Sequence, residues 1–311
     1  MYYIVFGFLY LVSLLPFFIL YGISDLIFVI LYFITGYRKK VVIKNLRVSF
    51  PEKSEEELKI IARKFYRNFT DNWMEAIKLL SVSKKALNKR VSANMNVFHQ
   101  LYKEGRSVQV NLGHFFNWEI MTLYTGINQP YTFLTVYLPL ASSVVNRLFI
   151  HLRSRWGNPQ LPASDMARAI IPWRKKQFLL ALGADQNPPN PTNAYWLNFL
   201  NRPTAFLKGS EKFARIQNTP VVMMTTTRPR RGHYHFDYFL LADNPKELPD
   251  GELMRRYVQH LEKNIQLQPE IYLWSHRRWK HNWKPEYEEY WIDTQPAPET
   301  TQHLNIEKGP R

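Results

Sequence analysis

The chain has 311 residues and no cysteine, which excludes disulfides, thiolate metal sites and a cysteine nucleophile. Forty-one Lys and Arg against 25 Asp and Glu give a formal charge of +16, so the surface suits phosphates: nucleic acid, anionic lipid or an acidic protein. Nine Trp, 18 Tyr and 20 Phe add a heavy aromatic load, favoured where one end of a ring is dry and the other wet, as at a membrane interface.

Residues 2–20 carry no charge, and a run of about 20 apolar residues is long enough to cross a hydrocarbon core. A second apolar run, Leu26 to Thr35, is too short to cross alone. A signal peptide fits poorly, because no Lys or Arg precedes the run and no small-residue cleavage site follows. Residues 1–37 therefore read as a retained membrane anchor, spanning, folded as a hairpin or lying in the interface. Arg38, Lys39, Lys40, Lys44 and Arg47 put the following domain on the cytoplasmic side.

Ser54, with Glu57 three residues on, has the pattern of a reciprocal helix cap. The helix it starts runs to about Leu80, with Leu58, Ile61, Phe65, Phe69, Trp73 and Ile77 on one face. Strand-like runs follow at 108–112, 131–137, 178–182, 221–227 and 235–241. The last two pair across a turn at Pro229 to Gly232. Helical patterns at 143–155, 165–173 and 206–217 separate the earlier runs, and a last helix covers about 251–267. Alternating strands and helices indicate an α/β fold with helices on both faces of a sheet. The main domain spans 38–292, and the Pro-, Thr- and Gln-rich tail from 293 to 311 reads as disordered.

The most informative stretch is Asn111-Leu112-Gly113-His114-Phe115-Phe116-Asn117-Trp118-Glu119. A strand ends, glycine allows a sharp turn, and Asn117 is a plausible cap for a new helix. Residues five apart do not face each other on one helix, so His114 and Glu119 meet only if His114 lies in the turn. A carboxylate there would hold one ring nitrogen and leave the other to take a proton. Asp185 also follows a strand, at the edge where sites of α/β sheets lie, and would orient an arginine or a sugar hydroxyl. His151, His233, His235, His260, His276 and His281 form no recognisable zinc pattern.

This histidine–four residues–acid pattern resembles that of membrane glycerolipid acyltransferases. Its glutamate form resembles the late (lauroyl/myristoyl) acyltransferases of lipid A biosynthesis. Further matching segments are Gly36-Tyr37-Arg38 through Asn45-Leu46, Phe50-Pro51, Arg153-Ser154-Arg155-Trp156-Gly157, Asp185-Gln186, Phe199 to Gly209, and Trp274-Ser275-His276-Arg277-Arg278-Trp279-Lys280. Their order over about residues 1–285 is more specific than any one of them; Asn187 to Asn198, rich in Pro and Asn, has no match. The resemblance implies a glycerolipid-acyltransferase-like central mixed β-sheet and a bacterial inner-membrane enzyme. It also implies acyl transfer from an acyl carrier protein or acyl-CoA to a lipid hydroxyl, with no cofactor beyond the thioester.

His114 and Glu119 are the expected catalytic pair. Asn117, Arg153, Arg155, Asp185, Gln186, Lys208, Arg277 and Arg278 are the expected substrate-binding residues, the cations for phosphate or carboxylate. Other lipid acceptors, thioester hydrolysis and a non-catalytic anionic-lipid binder are the competing readings. No nucleic-acid motif is present.

Overall fold

The structure, a computed structural model, describes residues 1–301. The uncharged N-terminal run does not form one continuous helix. Pro16, which has no N–H to donate, separates α1 (Tyr2–Leu14) from α2 (Phe17–Val29). A π-turn, Ile30–Ile34, extends α2, so that Phe17–Ile34 is an apolar stretch of 18 residues. It contains Asp25, and the second apolar run of the sequence is its distal half.

Two helices follow, α3 (Lys39–Ser49) and α4 (Glu55–Lys78). The cap of α4 is as expected: Glu57 N–H donates to Ser54 Oγ at 3.3 Å, and Ser54 N–H donates to Glu57 Oε2 at 2.8 Å. The chain continues through α5 (Lys84–Asn88), β1 (Val91–Asn94), α6 (Asn96–Lys103), β2 (Val108–Leu112), α7 (Trp118–Asn128), β3 (Thr132–Tyr137), α8 (Ser143–Arg153), β4 (Gln160–Pro162), α9 (Met166–Ala169) and β5 (Phe178–Gly183). It ends with β6 (Ala194–Phe199), β7 (Arg202–Leu207), α10 (Gly209–Gln217), β8 (Val221–Arg230), β9 (His233–Ala242) and α11 (Glu252–Leu267).

Seven strands form a mixed sheet in the order β1-β9-β8-β2-β5-β3-β4. Every pairing is parallel except the β8–β9 hairpin. β2 is buried along its whole length, as a central parallel strand covered on both faces should be. Its two polar residues are joined in place: Gln109 Nε2 donates to Asn111 Oδ1 and to the Ser210 carbonyl.

Some expected elements shift. Phe206 belongs to β7, where it pairs with Tyr195, so the helix expected from 206 begins at Gly209. The pattern over 165–173 breaks into short turns, the last with Pro172 in its first turn. The unmatched 187–198 stretch contains β6, whose hairpin with β7 forms a separate two-stranded sheet. Trp196 stacks there on Tyr287 at 5.1 Å. The expected tail begins with anchored residues, since Asp293 Oδ2 accepts from Asn198 N–H and the Pro298 carbonyl accepts from Trp283 Nε1. The part of that expectation over 302–311 lies outside the described residues.

α2 lies along α4 and is clamped to it by charge. Asp71 of α4, 2% exposed, accepts from Arg228 at 2.7 Å, from Arg231 at 2.6 Å and from Ser24 of α2 at 2.7 Å. Arg231 also meets Asp25 of α2 at 2.9 Å. Tyr21 and Tyr234 donate to the buried Glu75. Burial pushes the Glu75 carboxyl up, against the pull of Arg228. Removing one partner of a buried pair strands the other charge, which costs about 3–5 kcal/mol. Asp71→Ala is expected to lower the unfolding free energy by about that amount in detergent. Arg231→Gln, at a side chain 37% exposed, is expected to cost about 1 kcal/mol or less. Equal losses from the two variants would refute this ranking.

Candidate active site

β2 and β5 are adjacent parallel strands, in register from Val108 opposite Leu179 to Leu112 opposite Gly183. Their carboxyl ends therefore emerge side by side. Two residues beyond β2 stands His114, and two beyond β5 stands Asp185. Asp185 grips His114 twice: its Oδ2 accepts the His114 backbone N–H at 2.8 Å, and its Oδ1 lies 2.5 Å from Nδ1 of the ring. Tyr272 donates its hydroxyl to Asp185 Oδ2 at 3.3 Å. Gln186 Nε2 lies 3.3 Å from His114 Nε2, the nitrogen left over. The His114 side chain is 23% exposed, whereas that of Asp185 is 2% exposed. One ring nitrogen is thus fixed from inside the protein while the ring still reaches the surface.

The turn is held on its other side by the chain after α11. Phe116 N–H donates to the Ile271 carbonyl, and Leu273 N–H donates to the His114 carbonyl. Two glycines make the close approach possible. A β-carbon on Gly183 would sit 2.8 Å from Cε1 of the His114 ring, and one on Gly113 would sit 2.5 Å from Leu261 Cδ1. Both are inside any real carbon contact, so the ring comes this close to β5 only because residue 183 has no side chain.

The carboxylate on the imidazole is Asp185, and the expected contact with Glu119 is replaced by another. Asn117 caps α7 as anticipated, its Oδ1 accepting from Glu119 N–H at 3.0 Å and Ile120 N–H at 3.1 Å. That cap fixes the start of the helix and turns the Glu119 side chain towards α8. There it forms a two-pronged pair with Arg153, Nε to Oε2 at 2.9 Å and Nη2 to Oε1 at 2.5 Å, and accepts from Trp118 Nε1 at 2.9 Å. Trp118 in turn sets its ring edgewise to His114, centroids 5.7 Å apart. Glu119 is accordingly the anchor of Arg153 and Trp118 beside the imidazole.

The remaining expected residues divide. Arg278 is buried near Asp185, donating to Asn187 Oδ1 at 2.8 Å and to the Ala205 carbonyl at 2.9 Å. Asn117 is fully buried and donates to Glu75. Arg155 donates to the carbonyls of Leu79 and Val82, closing the end of α4. Lys208 lies over the rings of Tyr195 and Tyr290 on the β6–β7 side. Arg277 is exposed and touches Asn187 through its carbonyl. Phe115 and Phe116 are core residues. The 274–278 segment is braced by Asn45, which donates to the carbonyls of Trp274 and His276, and by Arg38, which donates to that of Ser275. Tyr272 and Gly183 were not singled out in the sequence; a lone Tyr and Gly carry no local signal. Among the described residues no group of three or more His, Asp or Glu is arranged to hold a metal ion.

The electrostatics follow from the burial. Burial alone disfavours charge on the His114 ring, but the charge and hydrogen bond of Asp185 outweigh it and raise the ring above its ordinary 6.5. Burial also disfavours the Asp185 carboxylate, yet His114 and, less strongly, Arg278 hold it down at about 2. The aspartate therefore stays ionised throughout the range in which the histidine ring gains or loses its proton. Asp185→Asn is expected to move the ring titration, followed by the NMR shifts of the imidazole carbons, to lower pH. An unchanged midpoint would mean that this pair does not set the ring's basicity.

The comparisons with known proteins identify the family. The family model for bacterial lipid A biosynthesis acyltransferases matches residues 1–281. The lipid A biosynthesis lauroyltransferase of Escherichia coli K12 is 24% identical over 277 residues, 88% of this chain and 89% of the relative. The lipid A biosynthesis palmitoleoyltransferase of the same organism and a lipid A biosynthesis acyltransferase of Shigella flexneri are each 23% identical over 246 residues, 78% of this chain and 79% of theirs. The family match runs through the apolar N-terminal helices, the His114 turn and the 274–280 segment alike, and on it this chain belongs to the bacterial lipid A biosynthesis acyltransferases.

Proposed function

We propose that the chain transfers a fatty acyl group from an acyl thioester to a hydroxyl of a lipid A precursor, with His114 as general base and Asp185 as its orienting partner. The observation that carries this reading is the ring itself, held by an ionised carboxylate at Nδ1 and partly exposed at a strand edge. Such a pair is the histidine half of a serine triad, with the acceptor alcohol in place of serine. The alcohol's proton passes to Nε2, and its oxygen attacks the thioester carbonyl carbon. Negative charge collects on the carbonyl oxygen. Collapse breaks the carbon–sulfur bond, and the proton on Nε2 goes to the departing thiolate. The products are an ester and a free thiol, and no acyl group is carried on the protein.

Arg153 supplies positive potential beside the ring, where negative charge develops. Glu119 would keep its guanidinium aimed. The donor would be an acyl carrier protein or acyl-CoA, both acidic, which suits a surface of +16. The acceptor would be reached from the inner membrane, on its cytoplasmic side. Tyr3, Ile4, Phe8 and Leu11 of α1, with Phe18, Leu26 and Phe33 beyond them, are exposed and apolar. A patch of that kind suits burial in a bilayer surface.

The test is to incubate the detergent-purified chain with acyl-carrier-protein and CoA thioesters of several lengths and a lipid A precursor. The expected product is heavier by one acyl group. An unchanged acceptor mass across the donor panel, with donor consumed, would replace transfer by hydrolysis. His114→Ala is expected to lose about 10²–10⁴-fold in rate without loss of fold. Gly183→Ala, by displacing the ring, is expected to lose about 10²-fold. The wild-type rate should rise with pH through a midpoint above 6.5, because only the neutral ring accepts a proton. In Asp185→Asn that midpoint should fall while the plateau drops.

A further inference from the structure

A second concave site lies away from His114. A cavity of about 310 Å³ opens between α2, α4, the end of β8 and the turn after α11. Five cations line it: Lys64, Arg67, Arg228, Arg230 and Arg231. Three carboxylates share the lining, and two of them are spent. Asp71 is held by Arg228 and Arg231, and Asp25 by Arg231. Lys64, Arg67 and Arg230 form no ion pair among the described residues; Arg67 lies over the Phe28 ring and Arg230 meets His233. The third carboxylate, Glu270, leaves the lining with a surplus of two positive charges.

Behind these cations the wall is itself a buried guanidinium. The Arg228 side chain is 8% exposed. Its Nη1 donates to Asn68 and its Nη2 to Asp71, but its Nε has no hydrogen-bond partner. A buried guanidinium donor left unsatisfied is costly and uncommon. An acceptor entering the cavity would bring negative charge to the three unpaired cations. An oxyanion with several acceptor oxygens suits them, since exposed arginine forks bind such oxygens by parallel N–H donors.

We propose that this cavity is a binding site for a phosphate ester, distinct from the acyl-transfer site. Its position suggests where the phosphate comes from. Asp25 of α2 lines the cavity, and the next residue, Leu26, is 62% exposed. A bilayer surface that takes up Leu26 and Phe33 would present its phosphate headgroups at the mouth. The lipid as source rests on the membrane reading proposed above; the anion site itself does not.

The experiment uses the full chain in detergent micelles. Thermal midpoints are recorded in plain micelles, in micelles doped with phosphatidylcholine or phosphatidylglycerol, and in plain micelles with millimolar inorganic phosphate at ionic strength matched by chloride. Lys64→Gln/Arg67→Gln removes two exposed cations of the lining. Lys175→Gln/Lys176→Gln removes the same charge just before β5, at the opposite edge of the sheet from His114.

Phosphatidylglycerol is expected to raise the wild-type midpoint more than phosphatidylcholine does. The lining variant should lose about 30-fold in apparent affinity for it, from two charges near a headgroup surface, while the control variant keeps wild-type affinity. A matching, variant-sensitive rise with inorganic phosphate identifies the free anion as sufficient; a rise with the lipid alone identifies the headgroup. Equal losses in the two double variants, or no rise with either anion, would overturn the proposal. Retention of the wild type on pure phosphatidylcholine vesicles is measured separately, and its absence would count against the membrane reading alone.

Discussion

The parallel pairing of β2 with β5 is the constraint from which the site follows. Two chain ends separated by about seventy positions leave the sheet at neighbouring points, so a histidine and an aspartate meet without any long side chain reaching for the other. Asp185 binds both the backbone and the ring of His114, which fixes the turn and the imidazole together. The grip works because residue 183 is glycine and the ring can lie against β5. Exposure of the ring, burial of the aspartate and the raised basicity of the histidine all depend on that contact.

Around this pair the molecule spends its buried polar groups on position. The second carboxylate of the motif, Glu119, holds Arg153 and Trp118 at the side of the imidazole. The 271–278 segment crosses from α11 to close the turn from behind, braced by Asn45 and Arg38 of the first domain helices. These separated segments, each unremarkable by itself, are held to one another by backbone carbonyls. That accounts for why their order along the chain was more telling than any one of them. The clamp at Asp71 and Glu75 does the same for α2, tying an apolar helix to the α/β domain by charge instead of by hydrophobic burial alone.

The arrangement also explains how an apolar N-terminus coexists with a polar core. α2 turns Tyr21, Ser24 and Asp25 to α4 and the β8–β9 hairpin, and leaves Phe18, Leu26 and Phe33 outside. One face is thereby committed to the domain. Crossing a bilayer as an isolated span would expose that polar face to hydrocarbon, at a cost set by the loss of its partners. The surplus of cation in the adjoining cavity lies at the same junction.

Several features were fixed by residue order alone. The Ser54–Glu57 and Asn117 caps are local patterns whose hydrogen bonds close within a few residues, the β8–β9 hairpin turns over one short loop, and the strand before His114 is a continuous run legible from its residues. The family resemblance was legible for a related reason, as short segments in a fixed order. The partner of His114 was not legible locally. Spacing offered Glu119, five residues away, and the helix cap at Asn117 turned it to Arg153 instead. Strand order decided the outcome, since only adjacency of β2 and β5 brings Asp185 to the ring. The fates of Arg155 and Lys208 were equally a matter of tertiary structure. A basic residue in sequence states its charge, but which carbonyls or rings surround it depends on elements that pair and pack across long separations.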